Sequence, residues 1–161
     1  MSDELRFDIV DPLDAGAIAA VEAYFAELNT RFPGGFDGEG AIEADAAGLR
    51  PPGGAFVLAR LGDQIAGCGG VHSFEPAIGE IKRMWVDPRH RGRGVGVAVL
   101  DELERLSSAL GHRVVRLDTN ENLPEALAMY RSRGYVEIER YNDNPYPTHF
   151  FEKALVGVFR S

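Results

Sequence analysis

The residues from Arg89 to Gly96, RHRGRGVG, place three arginines and three glycines in eight positions. This concentration stands out because the chain is acidic, with a formal net charge of −8. Glycines let a ligand approach the backbone closely, and the first amides of a helix have no partner inside the helix. The helix dipole adds positive charge at that end, and arginines form strong hydrogen bonds to phosphate oxygens. The stretch therefore predicts a site for a phosphate-bearing ligand.

The spacing of these glycines excludes two common nucleotide-binding motifs. The fingerprint G-x-G-x-x-G is broken because the glycines alternate and position 97 is Val97. The pattern G-x-x-x-x-G-K-[ST] of P-loop enzymes is absent as well. The remaining pattern is R-x-x-G-x-G, formed by Arg91, Gly94 and Gly96.

The elements on either side of the loop are those that an anion site at the start of a helix needs. The segment GEIKRMWV before it is a predicted strand that ends at Asp87 and Pro88. The helix after it ends at Gly111, a predicted C-cap. Its apolar residues recur every three or four positions, as on one helical face: Val95, Val99, Leu103, Leu106 and Leu110.

The rest of the chain alternates between strand and helix signals. Strands are predicted at LRFDIV, AFVLARL, QIAGCGGVHSF, RVVRLDT, YVEIERY and THFFEKAL. A first helix is predicted to begin with Asp11 as its cap and Pro12 in its first turn. A short helix is predicted from Ala41 to Leu49, and a last one from Pro124 to Gly134. The order β-α-α-β-β-β-α-β-α-β-β predicts one α/β domain over residues 1–161.

Two blocks of this sequence resemble the GCN5-related N-acetyltransferase (GNAT) superfamily. The segment VDPRHRGRGVGVAVLDELE resembles the central motif, in which R/Q-x-x-G-x-G/A wraps the pyrophosphate of acetyl-CoA. The segment NLPEALAMYRSRGY, from Asn122 to Tyr135, resembles a second block, N-x(2,3)-A-x-x-x-Y-x-x-x-G-[FY]. The likeness runs from Arg6 to Leu155 and includes features of a small, single-domain bacterial subgroup. It implies the GNAT fold, an α/β (α+β) architecture with a mixed central sheet of about seven strands, about four flanking helices, and strands four and five splayed apart.

The resemblance also implies which residues hold acetyl-CoA, which would act as co-substrate. The pantetheine arm would lie against the backbone of strand four, and the loop amides would hold the pyrophosphate. A backbone amide near Trp85 or Val86 would polarise the thioester carbonyl. For the strand-four side chains, plain core packing is an equal alternative. The implied cofactor residues are Met84, Trp85, Val86, Arg91, Gly92, Arg93, Gly94, Val95, Gly96, Asn122 and Arg133.

The implied chemistry is direct attack of an amine on a thioester, which needs a group that accepts a proton because alkyl amines are mostly protonated at neutral pH. A glutamate at the place of Glu80 is the general base in the histone-acetylating branch of the family. An ion pair between Glu80 and Lys82 is the alternative, and Asp118 and Glu75 are reserve bases.

The leaving thiolate needs a donor, and Tyr130 stands at the family's tyrosine position. Its alternative role is packing on the sheet together with Ala126. The resemblance gives Asn122 bonds to cofactor amides, although a helix cap is the alternative. Arg133, one turn beyond Tyr130, is placed to reach a phosphate.

The acceptor site is expected between the first two helices, their loop and the final hairpin. Carboxylates and aromatic rings there would suit a small cationic amine, although both segments also fit solvated loops. The residues offered are Phe32, Phe36, Asp37, Glu39, Tyr141, Asn142, Asp143 and Tyr146.

The histidines and the cysteine contribute little to these expectations. The four histidines lack metal-ligand spacing, so we expect no metal and surface or capping roles. The single cysteine, Cys68, fits a buried apolar position, and a covalent acyl-cysteine role is disfavoured.

Composition narrows the class of protein. The chain has 161 residues, of which 45% are hydrophobic, as expected for one folded domain. Neither a signal peptide nor an apolar run that could span a membrane is seen, so we expect a cytoplasmic protein without membrane association. The acidic charge argues against nucleic acid as a partner. The tail VGVFRS is a candidate segment of a homodimer interface.

Three functions remain open from sequence. The preferred one is N-acetyl transfer from acetyl-CoA to a primary amine of a small molecule, with a protein or peptide amine as a further acceptor class. A non-catalytic acyl-CoA-binding module of the same fold is the second. A different nucleotide enzyme, such as a dehydrogenase, is disfavoured by the broken fingerprint.

Overall fold

The protein, described here over residues 4–155 of a computed structural model, is built on one seven-stranded sheet in the order β1-β2-β3-β4-β5-β7-β6. The only parallel neighbours in that range are β4 and β5. The strands are β1 Leu5–Val10, β2 Gly54–Leu61, β3 Gln64–Glu75, β4 Ile78–Val86, β5 Val114–Thr119, β6 Val136–Ile138 and β7 His149–Ala154. The helices are α1 Ala15–Arg31, α2 Ala41–Ala46, α3 Val95–Ala109 and α4 Pro124–Ser132. Short 3₁₀ turns cover Ala47–Leu49 and Pro88–His90.

The strands β4 and β5 pair over only three residues each. Their register begins at Ile78 opposite Val114 and ends at Glu80 opposite Arg116. Beyond that point the edge of β4 that faces β5 has no strand partner among residues 4–155, although β4 continues to Val86. The two strands therefore splay apart, as the resemblance implied.

The sheet has an apolar core on each face. On one side α3 and α4 pack on the sheet through residues such as Leu103 and Tyr130. On the other side α1 covers β2 to β4, and its Ala17 and Val21 pack near Phe56 and Trp85. Adjacent positions of β2 enter different cores, since Val57 belongs to the first and Phe56 to the second. This alternation is the two-residue period of a strand buried on both faces.

A bulge at Arg83 changes the direction of side chains along β4. The register with β3 passes from Lys82 opposite Gly70 to Trp85 opposite Cys68, so β4 has one extra residue. Arg83 has a φ of 61°, in the left-handed region that side chains rarely adopt. Lys82 and Arg83 consequently both bind Asp45 of α2, at 3.0 Å from Nζ to Oδ1 and 2.9 Å from Nε to Oδ2. The bulge thus joins α2 to the strand beside the splay.

Some predicted boundaries are wrong for physical reasons. The helix predicted to begin at Asp11 begins at Ala15 after Asp14, because the Asp11 carboxylate accepts from the Leu13 amide and pairs with Arg50. The strand predicted at YVEIERY is shorter, since only Val136–Ile138 pairs with β7. The tail proposed for a dimer interface, residues 156–161, lies outside the described residues.

The described part of the chain shows two further absences. No helix among residues 4–155 is both long and apolar enough to cross a bilayer. Within the same residues no group of three His, Cys, Asp or Glu side chains could hold a metal ion.

We expect Gly79→Ala to lower the free energy of unfolding by about 1–3 kcal/mol. Gly79 lies on the short paired part of β4, and a Cβ there would stand 2.4 Å from Ser107 Oγ and 2.5 Å from His112 Nδ1. These atoms bond each other at 2.6 Å inside the core and cannot move apart without cost.

Urea denaturation measures the effect, with Gly53→Ala as the matched control. A Cβ on Gly53 meets nothing within 4 Å. Equal stability of the two variants would mean that the core at Gly79 is looser than the structure describes.

Candidate functional site

Two cavities meet where β4 and β5 separate. The first, the glycine cleft, has a volume of about 290 Å³ and is lined by Gly92, Gly94 and Gly96 together with Trp85 and Val86. The second, the carboxylate cavity, measures about 280 Å³ and contains Glu80 and Asp118. The residues that line both are Tyr24, Leu28, Met84, Leu123, Ala126 and Tyr130.

The loop before α3 presents unused backbone donors to the glycine cleft. Gly92 and Gly94 have φ values of 81° and 80°, which turn the chain sharply into the helix. The amides of Gly92, Arg93 and Gly94 have no acceptor among the described residues. The amides of the first helical turn, beginning at Val95, have no intrahelical acceptor either. This array can bind an anion through backbone N–H groups and the helix dipole.

The loop is held in place by Arg91. Its guanidinium donates from Nε and Nη2 to the Val86 carbonyl, at 3.0 and 2.8 Å, and from Nη2 to Glu27 at 2.6 Å. Glu27 also accepts from the Trp85 indole at 3.1 Å. The Arg91 amide donates to the Pro88 carbonyl at 3.5 Å, and its side chain links the loop to β4 and α1.

An ion pair crosses the glycine cleft. Arg31, at the end of α1, binds Glu125 in the first turn of α4 through both of its terminal nitrogens. Arg31 also donates to Glu27 at 3.2 Å. Both partners of the pair line the cleft, so the two helices that flank it are linked.

In the carboxylate cavity, Glu80 is buried and fully engaged. Its Oε1 lies 2.6 Å from His72 Nε2. Its Oε2 accepts from the Tyr141 hydroxyl at 2.7 Å and from Asn142 Nδ2 at 3.2 Å. The alternative pairing with Lys82 is wrong, because Lys82 binds Asp45 instead.

Asn142 joins the two carboxylates of the cavity. Its Nδ2 donates to Asp118 Oδ2 at 2.8 Å as well as to Glu80. Its Oδ1 accepts from the Asn144 amide at 3.0 Å, which fixes the orientation of the side-chain amide. Asp118, a reserve base in the sequence analysis, therefore lies beside Glu80 at the same cavity.

The two carboxylates have pKa values that shift in opposite directions. Burial raises the pKa of Glu80, but hydrogen bonds from His72 and Tyr141 and the charge of Lys82 outweigh it, so the net pKa is lowered. Burial raises the pKa of Asp118; the Asn142 hydrogen bond opposes this shift, and the charge of Glu80 adds to it. Such a divided pair can provide an ionised proton acceptor at neutral pH.

Two tyrosines stand at the junction of the cavities. Burial raises the pKa of Tyr130, whose hydroxyl therefore stays protonated and lies 3.9 Å from Met84 Sδ. Burial likewise raises the pKa of Tyr24 to about 12. The Met84 side chain lines both cavities between them. A protonated hydroxyl at this junction can donate to an anion formed there.

The expected acceptor segments do reach the carboxylate cavity in part. Phe32, Phe36, Asn142 and Tyr146 line it, and Tyr141 touches it through Glu80. The other three residues offered by these loops, Asp37, Glu39 and Asp143, are exposed and do not line this cavity.

Three predicted residues do not line either cavity. Asn122 neither lines the cleft nor caps α4: its Nδ2 donates to Asn120 Oδ1 at 2.7 Å, and the cap position is Leu123. Arg133 binds Asp101 of α3 at 3.1 Å. Glu75, the other reserve base, is exposed at the end of β3.

Residues that sequence reasoning missed become visible only in three dimensions. His72 was assigned a surface or capping role, yet it binds Glu80 because β3 pairs with β4 in a register that sets the two opposite each other. Asn120 lines the carboxylate cavity, and its Nδ2 donates to the Tyr146 carbonyl at 2.7 Å. Glu27, which no sequence motif singles out, lines the glycine cleft and accepts from Arg91 and Trp85.

Cys68 is a buried residue of β3. Its Sγ contacts the Arg83 carbonyl at 3.3 Å, and burial raises the pKa of the thiol to about 12. A thiol that stays protonated is a poor nucleophile, so this geometry offers no covalent acyl carrier.

Comparison with known proteins gives a consistent family. The family model described as the acetyltransferase (GNAT) family matches residues 21–135. An uncharacterised N-acetyltransferase of Schizosaccharomyces pombe is 38% identical over 99 residues, which are 60% of this chain and 61% of that protein. The IAA acetyltransferase of Azospirillum brasilense is 28% identical, over 89% of this chain and 94% of its own. The N-alpha-acetyltransferase RimI of Mycobacterium tuberculosis is 33% identical, over 80% of this chain and 81% of its own.

Solved structures share the fold. A Klebsiella pneumoniae protein described as an acyl-CoA N-acyltransferase has a TM-score of 0.77 and 28% identity, covering 96% of this chain and 100% of that one. A GNAT family acetyltransferase from Elizabethkingia anophelis, solved with acetyl-CoA bound, has a TM-score of 0.70 and 14% identity, covering 96% and 100%.

We expect Tyr141→Phe to raise the pKa of Glu80. The variant removes one hydroxyl that donates to the ionised carboxylate at 2.7 Å, so the ionised form loses support and Glu80 takes up a proton at higher pH. Titration of the carboxyl carbon by ¹³C NMR measures the shift.

Tyr146→Phe is the control, because the Tyr146 hydroxyl accepts from the Asp37 amide and touches no carboxylate. A Glu80 titration that is identical in Tyr141→Phe and the parent protein would contradict the hydrogen-bond network described here.

Proposed function

The chain belongs to the GNAT acetyltransferase family, and on that premise we propose that it transfers an acetyl group from acetyl-CoA to a primary amine of a small molecule. The observation that carries this proposal is the meeting of the glycine cleft and the carboxylate cavity at the splay of β4 and β5. One cavity has backbone donors for phosphates. The other has the Glu80 and Asp118 carboxylates for a cationic amine, and its two cationic lining residues, Lys82 and Arg83, are bound to Asp45. A thioester that reaches their junction from the cleft would meet an amine held in the cavity.

Acetyl-CoA would bind with its pyrophosphate on the amides from Gly92 to Gly96. Its pantetheine arm would then lie along the unpaired edge of β4 at Met84, Trp85 and Val86. The fit rests on the unused amides of the loop and on the unpartnered backbone of β4. When bound, the cofactor supplies the activated acetyl thioester, and the protein supplies its orientation. The relative with bound acetyl-CoA supports this assignment by fold.

Glu80 would act as the proton acceptor. Its lowered pKa keeps it ionised at neutral pH, so its carboxylate has the charge state of a proton acceptor. The amine nitrogen would then attack the thioester carbon, a backbone amide of the β4 edge would stabilise the oxyanion, and the carbon–sulfur bond would break. Tyr130 would donate a proton to the departing thiolate, since its hydroxyl stays protonated, and the proton that the nitrogen loses on becoming an amide would return to the Tyr130 oxygen.

A small acceptor is favoured over a large one by the dimensions of the site. The carboxylate cavity of about 280 Å³ lies at the lower end of the range for small-molecule pockets. Its aromatic lining includes Tyr24, Phe32 and Tyr146, and aromatic rings attract cations. The relative named for N-alpha-acetylation makes a peptide amine the other acceptor class to test.

We expect Gly94→Ala to weaken acetyl-CoA binding at least fivefold by isothermal titration calorimetry. A side chain at a φ of 80° strains the loop and moves the amides that would hold the pyrophosphate. Gly62→Ala is the matched control, because Gly62 has a φ of 60° in the hairpin between β2 and β3 and does not line the cleft. Equal losses in both variants, or tight binding of NAD in place of acetyl-CoA, would overturn the cofactor assignment.

We expect a panel of primary amines to include one that releases free CoA from acetyl-CoA, and the rate to depend on Glu80 and Tyr130. Glu80→Gln should lower kcat/KM by about 10²–10⁴-fold, the usual contribution of a general base. Tyr130→Phe should lower turnover at least tenfold.

Two variants outside the cavities serve as controls for these losses. Glu75→Gln alters an exposed carboxylate of β3, and Tyr135→Phe alters a hydroxyl that binds Glu104 at 2.8 Å. Turnover in Tyr130→Phe equal to that in Tyr135→Phe would remove Tyr130 from the mechanism. Binding of acetyl-CoA without turnover of any amine would favour the non-catalytic acyl-CoA-binding module.

A further inference from the structure

Three aromatic rings, together with Asn120, lie at the boundary between the carboxylate cavity and a groove on the protein surface. Phe32, Phe36 and Tyr146 line the cavity on one side. The same three line the outer groove, a depression of about 430 Å³ that also includes Pro33 and Pro145. We refer to these three residues as the aromatic wall.

The wall is closely packed. The ring centroids of Phe36 and Tyr146 are 4.6 Å apart, and those of Phe32 and Tyr146 are 5.9 Å apart. Phe25 of α1 supports Phe36 from behind at 4.9 Å. A Cβ on Gly38 would stand 2.5 Å from Phe25, so the loop passes this pair at the closest distance glycine allows.

Hydrogen bonds hold the wall in position from both of its loops. The Tyr146 hydroxyl accepts from the Asp37 amide at 2.9 Å, which joins the loop after α1 to the loop before β7. The Tyr146 carbonyl accepts from Asn120 at 2.7 Å. The Phe36 amide donates to Asn29 at 2.8 Å. These hydrogen bonds fix the two loops that carry Phe36 and Tyr146, so both rings have defined positions in the wall.

We propose that the aromatic wall sets the upper size of the acceptor and that Tyr146 is its specificity-determining residue. The acceptor class is then a compact primary amine whose apolar body ends at the wall, with its nitrogen beside Glu80. Removal of the Tyr146 ring joins the cavity to the outer groove, and a longer apolar chain gains a place to lie. This inference rests on the proposed function, because it takes the carboxylate cavity as the acceptor site.

The test compares butylamine with octylamine in the protein and three variants. The measured quantity is the ratio of kcat/KM for octylamine to kcat/KM for butylamine, which does not depend on the folded fraction of a preparation. In Tyr146→Ala the ratio should rise at least tenfold. In Tyr146→Phe, which keeps the ring, and in Pro145→Ala, which changes only the outer groove, it should stay within twofold of the parent ratio.

Binding of the same amines to the CoA-saturated protein, measured by calorimetry, separates this inference from the proposed function. Amine binding without turnover contradicts the proposed function, and the binding ratio then decides the role of the wall. An unchanged ratio in Tyr146→Ala contradicts the proposed role of the aromatic wall. Equal kcat/KM values of the parent protein for octylamine and butylamine contradict it as well. Absence of binding by either amine to parent and variant removes the cavity as an acceptor site and overturns both.

A second variant tests the wall independently in case Tyr146→Ala does not fold. Phe36→Leu trims a different ring of the wall while keeping an apolar side chain, and the ratio should rise in the same direction. If Tyr146→Ala does not fold, an unchanged ratio in Phe36→Leu contradicts the proposal by itself.

Discussion

The parting of β4 and β5 after Glu80 is the constraint on which the rest of the structure depends. A buried strand edge without a partner carries unpaired N–H and C=O groups, and such groups are costly unless something binds them. At this edge the Val86 carbonyl has a partner within the protein, because the Arg91 guanidinium donates to it. The remaining edge of β4 lies open to the glycine cleft. A ligand with amide groups of its own, as pantetheine has, would complete the ladder that β5 leaves unfinished.

Several charged side chains around this opening bind one another in small groups, each centred on one carboxylate. Glu27 receives Arg91, Arg31 and the Trp85 indole, so one carboxylate of α1 connects the loop, the strand and the helix end. Hydrogen bonds and opposite charges lower its pKa, although burial alone would raise it. Asp45 likewise binds Lys82 and Arg83 from the bulge. The Arg31–Glu125 pair, the loop amides and the Glu80–Asp118 pair are further polar groups that line the two cavities.

Much of the fold was predictable because its signals are local. The apolar stripe from Val95 to Leu110 and the alternating strands require only the 3.6-residue and two-residue periods. The glycine loop was predictable because glycine tolerates a positive φ. Its unused amides were predictable because the first N–H groups of a helix have no partner inside the helix. The start of α1 was not, since Asp11 lies in the turn before the helix, where its carboxylate accepts from the Leu13 amide and binds Arg50. For the site, Glu80 and Tyr130 were placed by motif, whereas His72, Asn120 and Tyr24 depend on register and on loops that meet far along the chain.

The six residues shared by the two cavities have a consequence for how ions are distributed across the site. Tyr24, Leu28, Met84, Leu123, Ala126 and Tyr130 include neither a carboxylate nor a cationic side chain. An ion entering this neutral neck would lose solvation without gaining a counter-charge. Phosphates would therefore be retained on one side and an ammonium ion on the other, while an uncharged acyl group could occupy the passage. Under the proposed function, this neck would separate the reactants by charge before any bond is made.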